Sequence, residues 1–119
     1  MRTHLTVSLL TILMLSGRSA GAATLDETIA PGHNFDKAEF RLWYPDASGP
    51  FKAIVVLVPG SNGDGRGQVD DPVWQVFATK HQLALVGVRL TDKPHEQGFI
   101  EHYVNVSQGS RQAFLLRGE

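Results

Sequence analysis

Apolar and polar positions alternate from Lys37 to Tyr44, which is the period of a β-strand with two different faces. A cluster of turn-forming residues, 45–50, follows this strand. Ala53–Val58 is then a continuous aliphatic run, which is typical of a strand buried on both faces in the middle of a parallel sheet. Because a turn cluster separates the two runs, the pattern predicts that they pair as a hairpin.

A glycine-rich loop and a helix separate this aliphatic run from a second one. The loop, 60–67, contains four glycines, and Asp71 with Pro72 then provides an N-cap and a favoured first helical residue. The apolar face of the helix is predicted to contain Val73, Trp74, Val76 and Phe77. Leu83–Leu90 is the second buried-strand pattern, so residues 53–90 predict a βαβ unit with parallel strands.

The segments on either side of this unit are less regular. Residues 23–36 are polar and predict an extended leader, whereas 99–116 fits either a helical face or a short strand at 103–106. The sequence therefore predicts an α/β fold, a hairpin followed by a βαβ unit, with a partial domain at 37–119. Two parallel strands and one hairpin would leave an edge uncovered, so we expect the front part of a larger domain.

The first 22 residues have the pattern of a secretory signal peptide. A basic start precedes the uncharged apolar run Leu5–Leu15, and Ala20-Gly21-Ala22 has the form that signal peptidase cleaves. A membrane anchor and a buried N-terminal helix are the alternatives, although a run of eleven residues is too short to span a bilayer. We expect an exported protein, periplasmic or secreted, with no membrane association after cleavage.

Charge and composition exclude several classes of function. Removal of Arg2 and Arg18 with the signal leaves nine basic and twelve acidic residues, a net charge of −3, without a basic stripe for nucleic acid. The chain has no cysteine, so its fold must depend on a hydrophobic core. Because His95-Glu96 and Glu101-His102 do not form H-E-x-x-H, we expect no zinc site, and we expect no cofactor.

The glycine-rich loop is the strongest candidate site, and three kinds of ligand were compared. A phosphate is disfavoured because Arg66-Gly67 stands where a P-loop needs Lys-Ser/Thr. Calcium is disfavoured because Gly60 occupies the first position of an EF-hand-like loop, where a carboxylate belongs. A developing oxyanion fits better, since a loop that follows a buried strand and precedes a helix presents backbone N–H groups.

Three segments carry a family resemblance: LVPGSNGDGRG (57–67), DDPVWQVFATKHQLALVGVRLTDKPH (70–95) and YVNVSQGSRQAFL (103–115). They resemble the N-terminal section of secreted α/β-hydrolases, esterases grouped near polyhydroxybutyrate depolymerases and feruloyl esterases. The resemblance covers roughly 40–116. It implies that Ser61, with Asn62 beside it, lends an oxyanion N–H, and that Asp92 and His95 line the mouth of the cleft. An exposed polar loop is the alternative for 92–95.

The sequence does not supply a clear nucleophile. Gly17-Arg18-Ser19-Ala20-Gly21 matches G-x-S-x-G but lies in the predicted signal peptide. Ser107 is the other candidate, with Tyr103–Val106 as its strand, although Asn105 replaces the first glycine. A small residue on a helix face is the alternative for Ser107. In the resembled family the elbow and the histidine come later in the chain.

The sequence therefore predicts the N-terminal part of an exported serine-type carboxylic ester hydrolase. Its substrate would be a small-molecule or polymeric ester, and its nucleophile, acid and base are not evident. Two alternatives stay open: a small exported binding module that uses the loop 60–67, and a non-functional truncated product.

Overall fold

The computed structural model describes residues 21–46, 50–98 and 100–115, so the predicted signal peptide, 1–22, lies almost wholly outside the described residues. The strands are β1 (Ala23–Ile29), β2 (Ala38–Tyr44), β3 (Ala53–Leu57) and β4 (Leu83–Leu90). The α-helices are α1 (Pro72–His81) and α2 (Arg111–Phe114), and 3₁₀ helices span Arg66–Asp70, His102–Val104 and Val106–Gln108. Within the described ranges, no helix is both long and apolar enough to cross a membrane.

The four strands form one mixed sheet in the order β1-β2-β4-β3. Strand β3 is parallel to β4, with Val55 opposite Leu85, and β2 is antiparallel to both of its neighbours. Helix α1 connects the two parallel strands and packs on β4. The predicted βαβ unit is therefore confirmed, and the fold is of the α/β class.

The predicted hairpin between β2 and β3 is wrong. Strand β4 lies between them and pairs with both, because its aliphatic side chains can be buried on either face of a sheet. Strand β2 uses its other edge to pair with β1, where Leu25 lies opposite Leu42. The predicted extended leader, 23–36, thus contains β1, one of the two outer strands of the described sheet.

The core is divided between the two faces of the sheet because side chains alternate along each strand. On the face that carries α1, the buried apolar residues are Trp43, Leu57, Val69, Ala78 and Leu85. On the opposite face, they are Phe35, Ala38, Phe40, Val88, Leu90 and Ala113. Strand β4 contributes to both clusters, which agrees with its predicted double-sided burial.

Helix α1 begins as the sequence predicts but buries a different face. The Asp71 carboxylate accepts the Val73 N–H at 2.8 Å, and Pro72 occupies the first turn. Ala78 is buried and Trp74 packs beside it, whereas Val73, Val76 and Phe77 are exposed. The predicted face is therefore wrong except for Trp74. The apolar side chains of α1 lie on more than one side of the helix, so their spacing does not determine which side packs on the sheet.

Strand β3 also differs from its prediction. Its side chains were expected to be buried on both faces, but Ile54 is 60% and Val56 is 50% exposed. The reason is its position, since β3 is an outer strand of the described sheet. Residues 102–114 form neither the long helix nor the strand that the sequence allowed, but two 3₁₀ helices and one turn of α-helix.

Leu85 offers a direct test of the α1-side core. Its side chain is fully buried, so Leu85→Ala should lower the free energy of unfolding by about 2–5 kcal/mol, the usual cost of such a cavity. Urea denaturation followed by circular dichroism measures the change. Leu25→Ala on exposed β1 is the control and should have little effect; equal losses in both variants would contradict this packing.

Candidate functional site

The glycine-rich loop crosses the carboxyl ends of β3 and β4 at very short range. The Gly65 N–H donates to the Val88 carbonyl at 2.8 Å. A Cβ at Gly65 would lie 2.8 Å from the carbonyl oxygens of both Leu57 and Val88, which is closer than side-chain carbons approach. Gly87 is equally restricted, since its Cβ would lie 2.5 Å from the Gly65 oxygen. These glycines therefore allow the loop to rest directly on the two strands.

The tip of the loop is a tight turn, and several of its backbone N–H groups, including those of Gly60, Ser61 and Asp64, have no acceptor among the described residues. The Gly63 N–H donates to the Gly60 carbonyl at 2.9 Å, and Asn62 adopts the left-handed conformation, with φ of 53°. The Asn62 N–H donates to the Tyr103 hydroxyl at 3.3 Å. In the parts of the chain that the structure describes, no oxygen accepts the Ser61 N–H. Of the two predicted oxyanion residues, Ser61 thus has a free amide, and Asn62 has an amide that is weakly engaged.

Asn62 and Asp92 form a reciprocal pair that fixes this turn. The Asp92 N–H donates to Asn62 Oδ1 at 2.7 Å, and Asn62 Nδ2 donates to Asp92 Oδ2 at 3.2 Å. The other carboxylate oxygen, Asp92 Oδ1, accepts the N–H groups of His102 and Tyr103 at 2.7 and 3.0 Å. A single buried carboxylate therefore connects the glycine-rich loop, the end of β4 and the 102–103 segment.

The two residues expected at the cleft mouth have different surroundings. The Asp92 side chain is 0% exposed, so it does not line a cleft, and the alternative of an exposed loop is also wrong for it. The His95 side chain is 78% exposed, and its Nε2 lies 3.7 Å from a Glu96 carboxylate oxygen. The structure thus brings Asp92 together with Ser61 and Asn62, and leaves His95 at the surface.

Ser107 does not occupy a nucleophile elbow. It lies in the 3₁₀ helix Val106–Gln108, and the residues before it form another 3₁₀ helix instead of a strand. Its hydroxyl donates to Asn105 Oδ1 at 2.6 Å. Among residues 21–46, 50–98 and 100–115, no histidine accepts a hydrogen bond from this hydroxyl, the contact by which a base activates a catalytic serine.

A half-open apolar cavity of about 220 Å³ lies beside the loop, on the face of the sheet opposite α1. Its lining residues are Val58, Pro59, Val88, Leu90, Tyr103, Val104, Val106 and Phe114. Tyr103 joins the cavity to the loop, because its hydroxyl accepts the Asn62 N–H. An apolar group bound here would lie next to the loop turn.

Asn34, a residue that no sequence motif indicates, anchors the segment that forms one wall of this cavity. Asn34 Nδ2 donates to the carbonyls of His102 and Asn105 at 2.8 and 2.9 Å. Among the described residues, its Oδ1 and the hydroxyl of buried Ser110 have no hydrogen-bond partner. Asn34 lies 68 positions before His102 and 71 before Asn105, so no local pattern identifies this anchor.

Asp64 and Asp71, the carboxylates in and just after the glycine-rich loop that could otherwise bind calcium, are occupied within the protein. The Asp64 carboxylate binds the Arg66 guanidinium at 2.7 Å, and Asp71 caps α1. Hydrogen bonding from Arg66 lowers the pKa of Asp64 to about 2. The Ser61 hydroxyl also lowers the pKa of Glu101 by hydrogen bonding. Over residues 21–46, 50–98 and 100–115, no cluster of three or more His, Asp or Glu side chains could hold a metal ion.

Comparison with known proteins gives no relative from which to transfer a role. No family model, no curated protein and no solved structure matches this chain.

Asp92 should be essential for the loop geometry. Asp92→Ala leaves three donors without their acceptor, two of them partly buried backbone amides, and should cost about 3 kcal/mol of unfolding free energy. Asp92→Asn keeps one oxygen for the two amides but turns an NH₂ group towards Asn62 Nδ2, so its loss should be intermediate. Chemical denaturation measures both, with His95→Ala as the exposed control. A loss in Asp92→Ala no larger than the control would contradict the role of this carboxylate.

The Asp64–Arg66 pair should stabilise the loop in a pH-dependent way. Folding lowers the Asp64 pKa from 3.8 to about 2, so its contribution is present above about pH 4 and is lost as the pH falls towards 2. Arg66→Gln should therefore be less stable than the wild type at pH 6, and the difference should shrink at low pH. Lys80→Gln on α1 is the control. A difference independent of pH, measured by denaturation at each pH, would contradict this assignment.

Proposed function

We propose that this chain carries the oxyanion-binding part of an exported serine-type carboxylic ester hydrolase of the α/β-hydrolase kind. The observation that carries the proposal is the free Ser61 N–H at the carboxyl end of β3. In α/β-hydrolases, one oxyanion donor comes from the loop between the third strand and the first helix. The glycine-rich loop has that position in this chain, between β3 and α1.

The rigidity of the loop supports the proposal on physical grounds. An oxyanion donor is effective when it is held in place before the charge develops, because no energy is then spent on reorientation. The Asn62–Asp92 pair and the Gly65–Val88 hydrogen bond hold the turn from both sides. The amide of Ser61 is thus the kind of preorganised donor that acyl transfer requires.

The described residues do not bring together a serine, a histidine and an acid in the order that such an enzyme needs. Under this proposal, those groups belong to polypeptide outside residues 21–115, and the described residues contribute binding and electrostatic stabilisation. The half-open apolar cavity beside Tyr103 is suited to the acyl side of an ester, because its lining side chains are almost all apolar.

Ser61→Pro provides the central test, because proline has no N–H but leaves the remainder of the loop in place. The probe is methyl butylphosphonate, a tetrahedral anion with a short apolar chain, titrated into ¹⁵N-labelled protein. The Ser61 amide signal should shift and saturate in the wild type. Loss of this donor should weaken binding by about tenfold or more.

Two comparisons make the test specific. Ser61→Ala retains the N–H and removes only the hydroxyl, so it should bind the phosphonate almost as well as the wild type. The Gly63 amide, which donates to the Gly60 carbonyl, should shift much less than that of Ser61. Equal loss of binding in Ser61→Ala and Ser61→Pro, or no response at the Ser61 amide, would refute the oxyanion role.

A further inference from the structure

The turn at the tip of the glycine-rich loop contains the only Asn–Gly pair of the sequence, Asn62-Gly63. The other two asparagines, Asn34 and Asn105, precede a phenylalanine and a valine. The backbone nitrogen that follows an asparagine can attack the carbonyl carbon of its side chain. A glycine at the following position hinders this attack least, because it has no Cβ. Asn62 therefore has the highest intrinsic tendency of the three to deamidate.

In the folded loop, both reacting groups are held in hydrogen bonds. Asn62 Oδ1 accepts the Asp92 N–H at 2.7 Å, and Asn62 Nδ2 donates to Asp92 Oδ2 at 3.2 Å. The Gly63 N–H donates to the Gly60 carbonyl at 2.9 Å. Ring closure must break these bonds, because the side chain has to turn away from Asp92 and the Gly63 nitrogen has to lose its proton. The closed loop thus protects Asn62, and a local opening removes the protection.

We propose that Asn62-Gly63 is a site of spontaneous deamidation, which the Asn62–Asp92 pair suppresses in the closed loop and which proceeds when the loop opens. The Gly63 nitrogen forms a bond to Asn62 Cγ, and the bond between Cγ and Nδ2 breaks. The proton that Gly63 loses leaves with Nδ2 as ammonia. Water then adds to one of the two carbonyls of the cyclic imide, which gives an aspartate or an isoaspartate at position 62.

Neither product can rebuild the whole pair. At neutral pH the new carboxylate only accepts hydrogen bonds, so it cannot replace the Nδ2 group that donates to Asp92 Oδ2. It also brings a second negative charge next to the fully buried Asp92 carboxylate, and like charges this close are unfavourable. An isoaspartate further lengthens the main chain within the turn that Gly60 and Gly63 close. Deamidation would therefore make a transient opening permanent, whether or not the loop binds an oxyanion.

Rates of deamidation in mildly alkaline buffer, measured by peptide mass spectrometry, test the proposal. A synthetic peptide of residues 57–67 gives the unprotected rate. The folded wild type should deamidate at Asn62 at least about tenfold more slowly than the peptide, because the reaction follows the population of the open loop. Asp92→Ala should approach the rate of the peptide, and Asp92→Asn should lie between. Ring formation at the neighbouring Asp64-Gly65 releases water instead of ammonia, so it leaves mass and charge unchanged after hydrolysis.

Leu85→Ala is the matched control, because it destabilises the α1-side core without touching the loop. It should deamidate at nearly the rate of the wild type, and circular dichroism checks that every variant is folded during incubation. If Asp92→Ala is not folded, Asp92→Asn takes its place. The deamidated wild type carries an additional negative charge, so anion exchange separates it, and it should unfold at a lower urea concentration than the unmodified protein.

Four results would overturn the proposal. The first is a peptide that does not deamidate at Asn62, and the second is a folded wild type that reacts as fast as the peptide. The third is a folded Asp92 variant that reacts no faster than the wild type or than Leu85→Ala. The fourth is a deamidated fraction with unchanged stability, which would show that the loop closes again.

Discussion

The parallel pairing of β3 with β4 is the constraint on which the rest of this structure depends. It brings the carbonyls of Leu57 and Val88 to the same end of the sheet, where the glycine-rich loop must turn back over them. Only a residue without a side chain fits above both carbonyls, which explains Gly65, and the loop then approaches Gly87 just as closely. The position of Ser61 follows from this contact, because it lies in the turn that leads into Gly65.

Burial of one carboxylate makes this arrangement rigid. Asp92 directly follows the last residues of β4, and its side chain is withdrawn from solvent to serve the loop and the 102–103 segment at once. A buried carboxylate is unfavourable unless donors surround it, and here a side-chain amide and two backbone amides do so. The same bonds that stabilise Asp92 therefore define the turn that exposes the Ser61 amide.

Local sequence patterns correctly predicted those features of the fold that depend on residues close together in the chain. The capped start of α1, the glycine-rich loop and the strands β2 to β4 all follow from periodicity and from residues such as Asp71 and Pro72. The sequence could not predict the neighbours of each strand, because pairing depends on contacts between distant residues. The β2–β3 hairpin was wrong for that reason, and the role of Asp92 was unforeseen because its partner, Asn62, is 30 positions away.

A high content of aliphatic residues did not guarantee burial in this fold. The exposed aliphatic residues of β3 lie on the outer strand that leads into the candidate site. Ile54, Val56 and the outer residues of α1 have the composition of a core but lie at the surface of the described fold. The row on β3 leads through Val58 to the loop itself, and Val58 lines the cavity beside Tyr103. Any strand added along β3 must therefore end close to Ser61.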